Sequence, residues 1–296
     1  MTMKIGDLDS TYATGTNYSF QYDPKIVNMT IGSKKQLISL PLVSVSSYLD
    51  NEAVTPLMIN LVGTVYGSTK VTLLNQLSSF MMSKGMKKLY LDSTHFVYVL
   101  GKGMKPTKDG KKYNFRDYVA SFECPIPFIY GTTANTYVIT DLDDTATTLN
   151  DATANSTGAF ANTGYGPAHI THIQLAVQAG SANMKEFSFG DKALSGGAVA
   201  GDNILTWSDS TGIAAGETLH VYLIYEYGSK GNLWYCFKDS TDETVIGDRD
   251  LSGDNRGSGP RVDGLQTDQD FSIKIDDAST NVDVTFTNYN SNYGGF

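Results

Sequence analysis

The stretch Leu57 to Asp92, LMINLVGTVYGSTKVTLLNQLSSFMMSKGMKKLYLD, changes hydrophobic period twice, and that double change limits what the chain can fold into. Leu57, Ile59 and Leu61 alternate with Met58, Asn60 and Val62, the two-residue rhythm of a strand whose side chains project to opposite faces. Beyond Gly63 and Gly67, the apolar residues Leu73, Leu74, Leu77, Phe80 and Met81 fall at helical spacing. Ser68 or Thr69 is placed to cap this helix, and Gly85 stands where a left-handed C-terminal residue is needed. Period two returns at Leu89 and Leu91, and the turn Ser93-Thr94-His95 leads into FVYVLG. A strand, one amphipathic helix and a hairpin make a unit in which the helix covers one sheet face.

The rest of the chain follows a strand rhythm. Its 296 residues suffice for two cores, and 29 glycines and 18 tyrosines with a single strong helical pattern predict a mainly β protein. No apolar run reaches the ~20 residues of a membrane-spanning helix. MTMKIGDLDS lacks the basic start and apolar core of a signal peptide, so the expectation is a chain that is neither membrane-inserted nor exported. Cys124 and Cys236 lie too far apart for a metal-ligand motif and read as buried thiols.

The first twenty residues are polar and predict an arm or edge segment, and the proline-broken run up to Ser46 predicts short strands at a sheet margin. After the central unit, 101–112 carries Lys102, Lys105, Lys108, Lys111 and Lys112 among three glycines and Pro106, the composition of a projecting loop. No aromatic residue is interleaved with these lysines and the chain carries a net charge of −9, so contact with a protein subunit is favoured over nucleic acid. Tyr113 to Gly131 then gives a long aromatic strand closed by Pro125 and Pro127. Up to Asn135 there are 14 Lys and Arg against 9 Asp and Glu; the remainder holds 8 against 22. Two halves of opposite sign result, at +5 and −14.

The order of these elements resembles the N-terminal domain of the distal tail proteins of long-tailed bacteriophages. The residues that carry the resemblance are Gly63 and Gly67, the helix from Val71 to Lys84, Lys84-Gly85 with Leu89 and Leu91, Phe96 to Leu100, and FECPIPFIY from Phe122 to Tyr130. The resemblance implies a tail-tube-like β domain over 1–133 that forms a ring, expected to be hexameric. The tail tube would lie above that ring and the tail tip or baseplate hub below it. It also implies a virion protein at the tail tip, assembled in the host cytoplasm. A tail-tube subunit with a decorating domain and a carbohydrate-binding adsorption module are the alternatives.

Residues 134–162 are rich in Thr, Asn, Asp and Ala and read as a linker or long surface loop. From Asn162 onward, short alternating runs end in turn signals: HITHIQLAV, MKEFSFG, ILTWSDSTG, TLHVYLIYEYG, NLWYCFKD, FSIKI and VDVTF. That spacing predicts a β-sandwich over 134–296. Asn162 and Gly164, AGETL from Ala215 to Leu219, and Val282 to Phe286 resemble the jelly-roll or galectin-like domain that often follows in the same family.

Candidate chemistry is sparse. His169 and His172, three apart on a strand, point to opposite faces, and neither His95 nor His220 has a nearby Ser, Cys or carboxylate pattern that reads as a triad. The expectation is a non-enzymatic protein without a cofactor. Asp248, Asp250, Ser252 and Asp254, with Gly253 between, have the spacing of the first half of a calcium loop, although Gly259 stands where a bidentate Glu is needed. Trp207 and Trp234 are the candidates for stacking on a sugar face, with core packing as the competing use.

Overall fold

A computed structural model describes residues 2–8, 10–15, 17–31, 57–83, 86–110, 114–124, 128–224, 233–239, 246–252, 259–276 and 279–293. The chain divides into two compact units: Met1–Thr132 together with Tyr293–Phe296, and Thr133–Asn292. Strand content dominates in both.

The first unit contains β1 (Lys4–Gly6), β2 (Asn17–Ser19), β3 (Lys25–Ile31), β4 (Leu57–Tyr66), α1 (Lys70–Met82), β5 (Lys87–Tyr90), β6 (His95–Gly110), β7 (Phe115–Cys124) and the start of β8 (Phe128–Leu142). Strands β3, β4, β7 and β6 lie side by side, all antiparallel. The first half of β6 also pairs with β5, which pairs with β1, which pairs with β2. The central stretch thus folds as its periods predict. Ile59, Leu61 and Val65 of β4 meet Tyr118, Ala120 and Phe122 of β7, and the helix sets Leu74, Leu77 and Met81 on the same core. Thr69 occupies the N-cap position but makes no side-chain capping bond, and the Gly85 position lies outside the described residues.

Two glycines make this packing feasible. A Cβ at Gly63 would lie 2.4 Å from the Tyr118 hydroxyl, so the ring covers the bare strand position opposite it. A Cβ at Gly101 would lie 2.2 Å from the Met81 carbonyl, where β6 passes the end of the helix. The expected N-terminal arm is instead built into the sheet: β1 sits between β2 and β5, and Met3, Ile5 and Phe20 are buried. Its few apolar residues lie where a strand buries them, a signal that the polar composition hides.

The second unit contains the remainder of β8 and then β9 (Thr147–Leu149), β10 (Ser156–Gly158), β11 (Ala168–Val177), β12 (Met184–Ser195), β13 (Ala198–Ile213) and β14 (Thr218–Ile224). It continues with β15 (Leu233–Lys238), β16 (Asp248–Ser252), β17 (Arg261–Val262), β18 (Phe271–Ile275) and β19 (Val282–Tyr293). One sheet runs β15-β14-β11-β19-β8 and the other β16-β13-β12-β18-β9. Alternate residues of both sheets meet in one apolar cluster, including Ile173, Leu175, Val221, Val284 and Phe286 from the first and Phe187, Phe189, Leu205 and Ile273 from the second.

Residues 134–162 are not a linker. They supply β9, β10 and most of β8, and Tyr137, Ile139, Leu142, Leu149 and Phe160 are buried in the core. Tyr137 stacks on Phe160 at 4.4 Å between ring centroids. The polar residues between them form turns by local side-chain bonds, such as Asn150 N–H to Thr153 Oγ1 and Thr145 N–H to Asp143 Oδ1.

Candidate functional surfaces

The lysine-rich segment 101–110 is a strand, not a projecting loop. It forms the second half of β6, paired with β7 from Leu100 opposite Glu123 to Gly110 opposite Phe115. The register slips at Lys102 and again at Thr107, each an extra residue on β6, and Gly103 takes φ +140 after the first slip. Lys102, turned out by that bulge, pairs with Glu123, whose side chain is only 7 % exposed. The Lys105 side chain is exposed, and Lys108 stands opposite Asp117. Lys111 and Lys112 lie outside the described residues. Among the described residues this part of β6 has a strand neighbour on one side only. Lysines, a proline and two bulges are how a sheet margin is kept from pairing with other strands.

The acidic motif is likewise extended. Asp248, Asp250 and Ser252 lie in β16, paired residue for residue with Ser208 to Ile204 of β13. A calcium loop of this spacing bends its backbone around the ion, whereas Asp248 to Ser252 run straight as a paired strand, so β16 is not the first half of such a loop. Asp254 lies outside the described residues. Trp207 is 1 % exposed; it donates its indole N–H to the Ile246 carbonyl at 3.1 Å and packs against Phe187. A ring held this way presents no face to a sugar. The Trp234 position is on β15, and its side chain is outside the described set.

The histidines are placed in three different ways. His95 opens β6 just after the β5–β6 turn, and Asp92 accepts from the N–H groups of Thr94 and His95 at 2.6 and 2.8 Å. Burial pushes the Asp92 carboxyl up, but the bonds from Thr94 and His95 outweigh it and hold the group down at about 2. His169 is buried; burial, then the nearby Arg261 charge, push its imidazole down to about 3. His172 and His220 face outward on adjacent strands, with Nε2 of the first 3.1 Å from Nδ1 of the second. His220 Nε2 in turn lies 2.5 Å from Asp239 Oδ1.

No family model matches this chain. No curated protein matches it either. Among solved structures, the Dit protein (gp 19.1) of phage SPP1, described as a paradigm of the hub adsorption apparatus in phages infecting Gram-positive hosts, is 12% identical. That match covers 96% of this chain and 90% of that one, at a TM-score of 0.34. Chains from the phage P2 baseplate in its activated conformation match as well. With Ca the identity is 10%, the coverage 96% of this chain and 97% of that one, and the TM-score 0.46; with Sr they are 11%, 95%, 97% and 0.45.

The imidazole chain is invisible to a reading by sequence distance, since His172, His220 and Asp239 are 48 and 19 residues apart. The available signal is pairing. On β11, β14 and β15, Gln174 stands opposite His220, His172 opposite Tyr222, and His220 opposite Phe237. These residues alternate with the buried Ile173, Leu175, Leu219, Val221 and Cys236, so a correct three-strand register would have put all of them on one outer face.

Proposed function

We propose that this chain is a non-enzymatic structural protein of a tailed phage particle: a distal tail protein whose first unit builds a ring joining the tail tube to the tip or baseplate. The observation that carries this reading is that the described parts of the family-like sequence run fall on elements of the expected kind. Gly63 lies within β4 and Gly67 follows its end, the amphipathic run is α1, Leu89 and Phe96 to Leu100 form the β5–β6 hairpin, and Phe122 and Cys124 end β7. The two-sheet second unit supports the same plan, as a jelly-roll or galectin-like domain. The exposed edge of β6, with Lys105, is then a surface for a neighbouring subunit, while Lys102 is committed to Glu123 within its own unit. Closing a ring also gives unpaired strand edges a defined neighbour.

Mass measurement on the purified full chain across a wide concentration range tests this. A closed species of six copies is the expected result. A chain that stays monomeric at every concentration, with tube and tip partners present as well, overturns the reading.

A further inference from the structure

The outer face of the β15-β14-β11 sheet carries a paired-imidazole arrangement that the tail role does not use. The Asp239 carboxylate only accepts, so His220 Nε2 carries the proton it shares with Asp239, and His220 Nδ1 presents a lone pair. That lone pair is directed at His172 Nε2, 3.1 Å away. Two nitrogens bound to one zinc-like ion at about 2.05 Å lie about 2.9 Å apart at a right angle and about 3.3 Å at the tetrahedral angle. The observed spacing falls between these limits.

Both rings are held in place before any ion arrives. His172 lies on Tyr222 with 4.2 Å between centroids and 1° between planes, and His220 is packed beside Phe237 at 5.4 Å. Asp239 fixes the His220 tautomer from behind, the carboxylate–histidine arrangement that orients a metal ligand and raises its basicity. We propose that His172 Nε2 and His220 Nδ1 form a chelate for a divalent first-row transition ion, Zn²⁺ in the first instance. Imidazole donors suit Zn²⁺, Ni²⁺ and Cu²⁺ and do not suit Ca²⁺. On binding, the ion takes the place of the proton between the two nitrogens, and that proton leaves to solvent or moves to His172 Nδ1. Among the described residues no third carboxylate, thiol or imidazole joins the pair, so the remaining positions face outward, open to water or to a ligand group from another molecule.

Calorimetric titration of the tag-free full chain with ZnCl₂, and separately with NiCl₂, tests the proposal. The expected result is saturable uptake of one ion per chain, abolished in His172→Gln and in His220→Gln and weakened about tenfold in Asp239→Asn. His95→Gln, on the first unit, is the control and leaves uptake unchanged. Thermal unfolding of each variant without metal reports whether it folds. For a variant that does not, electron paramagnetic resonance of the wild-type Cu²⁺ form decides by showing or lacking two coupled imidazole nitrogens. Absence of saturable uptake by the wild type, or uptake that survives His220→Gln in a folded chain, overturns the proposal.

Discussion

At the scale of single residues, the buried His169 has the clearest consequence. Its imidazole is held down at about 3 from an ordinary 6.5, by burial first and by Arg261 second. Between those values the unfolded chain binds a proton that the folded chain refuses, so stability rises with pH across the window. It is fully present above 6.5 and is lost as pH falls toward about 3, by at most several kcal/mol. Denaturant unfolding of wild type and His169→Gln at a series of pH values should show a flatter acid limb in the variant. An unchanged slope would mean that His169 is not the group responsible. Sequence showed that His169 and His172 point to opposite faces, and they do: one is sealed in the core and the other lies on the surface. What it could not show was the surface partner, because the contact with His220 depends on the β11–β14 register and not on spacing along the chain.

At the scale of elements, the second half of β6 separates what its lysines do. Glu123 is almost wholly covered and its charge is met by Lys102, so Lys102→Ser leaves a buried carboxylate without its cation. That variant should lose about 1–3 kcal/mol in chemical denaturation, while Lys105→Ser, at an exposed position, should stay within about 0.5 kcal/mol of wild type. Equal effects from the two substitutions would remove the distinction drawn between them. The strand was not legible because the bulges at Lys102 and Thr107 each reset its alternation, leaving a lysine-glycine composition that mimics a loop. Residues 134–162 hid their strands differently. Five large apolar side chains, spread among Thr, Asn and Asp, reach the core through β8, β9 and the run up to Phe160. The helix and the strand before it were legible, since an uninterrupted period over ten or more residues is hard to mistake.

At the scale of the molecule, the chain comprises two units with separate cores, one around α1 and β4–β7 and one between the two sheets of the second unit. The boundary at Thr132 and Thr133 coincides with the change in composition and charge, while the return of Tyr293–Phe296 to the first unit has no sequence marker. The motif order that suggested a tail protein lies wholly in the first unit, and the proposed work of the chain is mechanical, at one fixed place in a particle. A tail-tube subunit and a distal tail protein differ in copy number there. Electron cryomicroscopy of the particle that carries this chain, with the chain placed in the density, therefore tests the central claim most directly. The account predicts one ring of six copies at the junction between tube and tip; stacked rings along the tube, or copies attached only at the periphery, would contradict it.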